Sequence, residues 1–193
     1  MIADTISDDT RTLTPAEERN LRAVTDVLQY WNTQDIEGML EFYDDDITWT
    51  NVALEETYRG KDEVRAFLRM LFTAIPDLNF EVTHKFVRDD QVSERWMIRG
   101  THLGPFMGIP ATSRPLEISG IGMVQMRDGK FVNDWYLLDA SAGLRQMGLL
   151  PPLSANDTPI MKAALWAAVH RKLVGAGVGA VAVGAVVARV MMR

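Results

Sequence analysis

Residues 116–138 read LEISGIGMVQMRDGKFVNDWYLL, two strand-like runs around a tight turn. The turn is Arg127-Asp128-Gly129-Lys130, and its Asp-Gly step is a strong hairpin signal because such turns need positive φ at their centre. Upstream, 92–101 forms another such run, and Phe80, Val82, His84 and Phe86 alternate along a fourth, turned by Arg88-Asp89-Asp90. Before Pro76 the hydrophobic period is helical. Thr14-Pro15-Ala16-Glu17 makes a capping box with proline at the first helical position. Leu21, Val24, Leu28 and Trp31 follow on one face, which predicts a helix to about Asn32. Asp35 caps a short second helix, residues 47–52 alternate as a strand, and Gly60-Lys61-Asp62 opens a third helix that Pro76-Asp77 stops. A last short helix is expected over 140–147. Helices first and four consecutive strands after them predict an α+β domain, with N-terminal helices packed on one face of a curved antiparallel sheet.

The chain has 193 residues, room for one domain and an appendage. Cysteine is absent, which excludes a disulfide framework and thiolate catalysis and agrees with a cytoplasmic address. Net charge is −6, with +4 carried from Pro151 onward and −10 by the first 150 residues. An acidic body lacks the basic face that nucleic-acid phosphates require. Residues 1–14 are polar and acidic, a disordered leader by composition and no secretory signal. Three scattered histidines give no zinc signature, and the chain has no nucleophile elbow, phosphate loop or dinucleotide fingerprint. Chemistry without metal or cofactor is the enzymatic expectation.

Between two strands lies Gly100-Thr101-His102-Leu103-Gly104-Pro105-Phe106-Met107-Gly108-Ile109-Pro110-Ala111-Thr112, a connection by its glycines and prolines. It belongs to an ordered set: Trp31 with Asp35, Phe42-Tyr43-Asp44-Asp45-Asp46, Tyr58-Arg59-Gly60-Lys61, and Phe72 through Leu78. The set continues with the Asp-Gly turn, Trp135-Tyr136-Leu137-Leu138-Asp139 and Leu144-Arg145-Gln146-Met147-Gly148. Over about residues 18–150 this set resembles the SnoaL-like polyketide cyclases. The resemblance implies a cone of the nuclear-transport-factor-2-like fold with a ligand pocket at its open end. It also implies cofactor-independent acid–base chemistry on an apolar, carbonyl-containing compound, and a homodimer as the assembly.

Asp139 is the first candidate for that chemistry. By strand alternation it shares a face with Asn133, Trp135 and Leu137. Shelter there raises a carboxyl pKa and makes a better base near neutrality. An aspartate does the acid–base work in the resembled family, and Asp139 is its match. The alternative is an N-cap for the helix that follows. His102 is the second candidate, a donor to a carbonyl oxygen or a loop histidine bonded to backbone. Trp49, Asn51 and Arg95 resemble pieces of the limonene-epoxide hydrolases, although Met97 stands where that family has its middle aspartate. An arginine beside Asp139 opposes the effect of burial on the carboxyl. Phe106 and Trp135 are candidate pocket walls.

Residues 151–160 read as a linker, and 161–193 as a helical tail rich in glycine, alanine and valine, uncharged over 173–188. That run is shorter than the roughly 20 residues of a spanning helix, but it is flanked by basic residues, so membrane attachment is one expectation, a helix pairing with a partner or dimer mate another, and a loosely ordered extension a third. A binding module held to a membrane or partner by the tail is the non-enzymatic alternative to a cyclase.

Overall fold

The computed structural model describes residues 12–150. The expectations for the linker, the tail and most of the leader fall outside these residues. Among the described residues no helix is long and apolar enough to cross a membrane.

The elements run α1 (Pro15–Thr33), α2 (Ile36–Leu40), β1 (Tyr43–Asn51), β2 (Glu56–Arg59), α3 (Gly60–Ala74), β3 (Asn79–Arg88), β4 (Gln91–Thr101), β5 (Pro115–Arg127), β6 (Lys130–Leu138) and α4 (Ala140–Gln146). Helix α1 begins where the sequence predicts. The Thr14 side chain accepts from Glu17 N at 3.2 Å, and Glu17 Oε2 accepts from Thr14 N at 2.8 Å. Two orphan amides of the first turn are thus satisfied reciprocally. Strand β2, only four residues long, carries too little alternation to be read from sequence.

The sheet order is β2-β1-β6-β5-β4-β3, open and curved, with β1 and β6 parallel and the other neighbours antiparallel. Its concave face packs on α1 and α3, which place Val24, Val27 and Trp31 from one helix and Val64, Phe67 and Leu68 from the other into the core. Trp31 stacks on Phe80 with centroids 4.8 Å apart, and Trp49 meets Phe67 edge-on at 5.3 Å. Such pairs add about 0.5–1.5 kcal/mol each beyond the area they bury. Asn32 ties α1 to β3 by engaging both backbone groups of Phe80: Nδ2 donates to its carbonyl at 3.0 Å, and Oδ1 accepts from its amide at 2.7 Å.

Two β-bulges decide which side chains face the concave side. In β3 the register passes from Val82↔Trp96 to His84↔Arg95, leaving Thr83 extra. Phe80 and Val82 are buried before it, Lys85 is buried after it, and Phe86 is exposed. In β6 the register passes from Met126↔Phe131 to Gln125↔Asn133, leaving Val132 extra. Phe131 points inward, but the next inward residues are Asp134, Tyr136 and Leu138. A single inserted residue exchanges the two faces of everything downstream, because side chains alternate with period two.

Candidate active site

The concave side encloses a cavity of about 320 Å³. Its walls come from α1, α3, every strand except β2, the connection after β4, and α4. Trp31, Trp49, Trp96 and Phe80 supply much of the aromatic surface. The ring of Trp96 lies against the sheet because Gly120 has no side chain: a Cβ there would stand 2.2 Å from Trp96 Cζ2. Gly122 does the same for Glu94, whose Cγ would lie 3.3 Å from an added Cβ.

Into this apolar space project two carboxyl groups, Glu94 from β4 and Asp134 from β6. Among the described residues no lysine, arginine or histidine lines the cavity. Burial pushes the Glu94 carboxyl up to about 7, against the attraction of Lys85. Asp134 is raised well above the ordinary aspartate range, first by burial and then by the charge of Glu94. Two acids that hold their protons toward neutrality, each to a different degree, are the arrangement from which acid and base roles are drawn.

Around them stand donors without acceptors. Trp49 Nε1, Asn51 Nδ2 and the Tyr136 hydroxyl are buried and close no hydrogen bond, with Asn51 facing the Tyr136 phenol. All three residues line the cavity. The Trp49 indole faces Asp134 and offsets part of its shift without closing a hydrogen bond. Asn51 is oriented by its other amide atom, since Oδ1 accepts from Leu54 N at 3.3 Å. Burial also raises the phenols of Tyr43 and Tyr136, keeping both protonated. Buried unpaired donors are uncommon in native proteins, and a cluster of them on a cavity wall can receive a ligand oxygen.

The candidates named from sequence separate into two groups. Trp49, Asn51 and Phe106 line the cavity. Asp139 does not: it is exposed and caps α4, with Oδ1 accepting from Ala142 N and Ser141 Oγ, both at 2.8 Å. Those bonds, the Ala142 amide foremost, hold its carboxyl below the usual range, so the expected shelter and raised pKa are reversed. Trp135, 38% exposed, lies on the convex face because the bulge at Val132 turns it outward. Arg95 is exposed on that face too, opposite Ile121, and it makes no pair with Asp139. The limonene-epoxide hydrolase constellation is therefore not assembled around the cavity. His102 is buried at the base of the connection after β4, with Nδ1 3.1 Å from Thr112 Oγ1. It braces that connection and is not among the cavity-lining residues.

Glu94, Asp134, Tyr43 and Tyr136 went unread in the sequence. A signal existed for Glu94, which stands two residues before Trp96 and so shares its strand face. For Asp134 the bulge concealed it.

A family model for SnoaL-like polyketide cyclases matches residues 21–147. No curated protein matches the chain. Several solved structures share the fold. One is a candidate SnoaL-like polyketide cyclase from Jannaschia sp. CCS1, with 22% identity and a TM-score of 0.67 over 74% of this chain and 99% of that one. A second is AclR, a candidate hydroxylase from Streptomyces galilaeus, with 24% identity and a TM-score of 0.64 over 72% and 91%. IdmH, a candidate polyketide cyclase from Streptomyces antibioticus, is 25% identical with a TM-score of 0.59 over 67% and 98%. The ordered motifs, the open six-stranded sheet and a match spanning most of the domain agree: the chain belongs to the SnoaL-like polyketide cyclase family.

Proposed function

We propose that the chain catalyses cofactor-independent acid–base chemistry, an aldol-type cyclisation or a proton-shifting isomerisation, on a neutral and largely apolar carbonyl compound. The observation that carries this reading is the pair Glu94 and Asp134, two carboxyls in an otherwise apolar aromatic cavity. One carboxylate removes a proton α to a carbonyl. The electron pair moves into the enolate, whose oxygen meets the donors of Asn51, Tyr136 and Trp49. In the cyclisation the enolate carbon bonds to an internal carbonyl carbon, and the resulting alkoxide takes a proton from the second carboxyl. In the isomerisation the proton returns to a different carbon. A cavity without a cation among the described residues disfavours substrates bearing a carboxylate or phosphate.

The test uses Glu94→Gln and Asp134→Asn, assayed for turnover of polyaromatic β-polyketones and for their binding. Loss of turnover with binding retained in both variants supports the reading. Wild-type protein that binds such compounds and never converts them would leave a carrier in place of an enzyme.

The expected homodimer is proposed to form through the convex face of the sheet. There Met123 pairs with Trp135 and Ile121 with Leu137 in register, and all four side chains are exposed. A contiguous apolar patch on a soluble surface calls for a cover, and a second copy offers an identical one.

A further inference from the structure

We propose that Lys85 is a positioning residue that keeps Glu94 anionic, so that Glu94 is the base of the cavity and Asp134 its acid. This rests on the acid–base reading above and adds a direction to it.

Lys85 is only 7% exposed, although lysine is almost never fully buried without a partner. The bulge at Thr83 puts it there. Without the inserted residue, Lys85 would share the outward face with Thr83 and Val87 would follow it. With it, Lys85 turns toward the concave side, directly across the β3–β4 ladder from Glu94. Its ammonium donates to Thr25 Oγ1 at 2.6 Å, and that hydroxyl donates to Leu21 O at 2.8 Å, which fixes the charge on α1. Lys85 is not a cavity-lining residue; it stands behind Glu94 and acts through it.

The two carboxyls consequently have unequal surroundings. Glu94 has Lys85 from β3, nothing from β5, where Gly122 leaves its path open, Asp134 and, one step beyond Gly122 in register, Tyr136 from β6, with Tyr43 from β1. Asp26 of α1 shares the field of Lys85. Asp134 has the Trp49 indole and the negative charge of Glu94, and no cation among the described residues. A cation beside one member of a carboxyl pair ionises that member first, and its charge then holds the proton on the other. Glu94 is thus left able to accept a proton, and Asp134 able to donate one. Both bulges serve one end: Thr83 brings in the cation and Val132 brings in the acid.

The experiment follows the protonated carboxyl C=O bands of the full chain by pH-difference infrared spectroscopy, with Glu94→Gln and Asp134→Asn assigning the bands. The wild-type Glu94 band should titrate near pH 7. In Lys85→Met its midpoint should rise by about one pH unit or more, and Lys85→Arg should bring it back toward the wild-type value. In Thr25→Val, which loosens the ammonium without removing it, the rise should be smaller; this variant carries the test should Lys85→Met not fold. An unmoved Glu94 midpoint in the folded variants, or an Asp134 band that disappears before the Glu94 band as pH rises, overturns the inference. No substrate enters this measurement. If the midpoint moves while Glu94→Gln keeps full turnover, it is the acid–base reading that fails, together with the roles assigned here.

Discussion

Replacing Glu94 by glutamine should flatten the pH dependence of stability between pH 4.5 and 7. Folding raises this carboxyl from 4.5 to about 7, so the folded chain binds the proton more tightly than the unfolded chain. A raised folded pKa contributes stability that is fully present below pH 4.5. The contribution declines as the pH climbs through the window and is lost above about 7. At 1.36 kcal/mol per unit, the displacement corresponds to about 3 kcal/mol. That is a large part of the 5–15 kcal/mol that holds a typical domain together, roughly. Burial of the side chain in an apolar cavity is the cause, and the attraction of Lys85 is already contained in the displaced value. Urea denaturation of both proteins at pH 5 and pH 8 measures the effect. The wild-type chain should lose about 2.5 kcal/mol more than Glu94→Gln between these two pH values, a midpoint difference of about 1–2.5 M urea for ordinary slopes. Asp134 is raised by burial in both proteins, and removing the charge of Glu94 lessens its rise in the variant, a change that acts in the same direction. Parallel stability curves for the two proteins would refute the reasoning, since they would mean that Glu94 titrates in the folded chain as it does in water.

Asp139→Ala should lower the melting temperature modestly by uncapping α4 while leaving ligand binding and turnover intact, as measured by thermal melting beside any binding assay. Gly120→Ala sets a methyl 2.2 Å from a tryptophan ring that is itself packed on Phe80. It should cost about 1–3 kcal/mol and change the fluorescence of the protein; equal stability to wild type would show that the ring shifts freely. Ile121→Asp combined with Trp135→Glu should give a monomer by light scattering if the convex face pairs two copies, and an unchanged mass would place the interface elsewhere.

The helices and the hairpins were legible because their signals are local. Thr14 and Glu17 close a capping box within one turn, Asp35 caps α2 through the Gly38 amide at 3.0 Å, and Asp128-Gly129 turns β5 into β6. Each of these interactions spans a few residues and needs no partner from elsewhere in the chain. Trp49 and Asn51 lie two apart in a run legible as a strand, and they share a face because no insertion falls between them. The same alternation applied to β6 from Phe131 onward selects Trp135 and Asp139, and there it fails at Val132.

What the sequence determined by itself is the class of the fold, the order of its elements apart from β2, and membership of the family, all carried by period, caps, turns and ordered motifs. Only the tertiary structure decided which acids face the cavity. A bulge is an agreement between two strands about register, and neither strand encodes it alone. Asp134 and Lys85 turn inward because β5 and β4 hold their neighbours one residue out of step, and the charge balance of the cavity follows from that step.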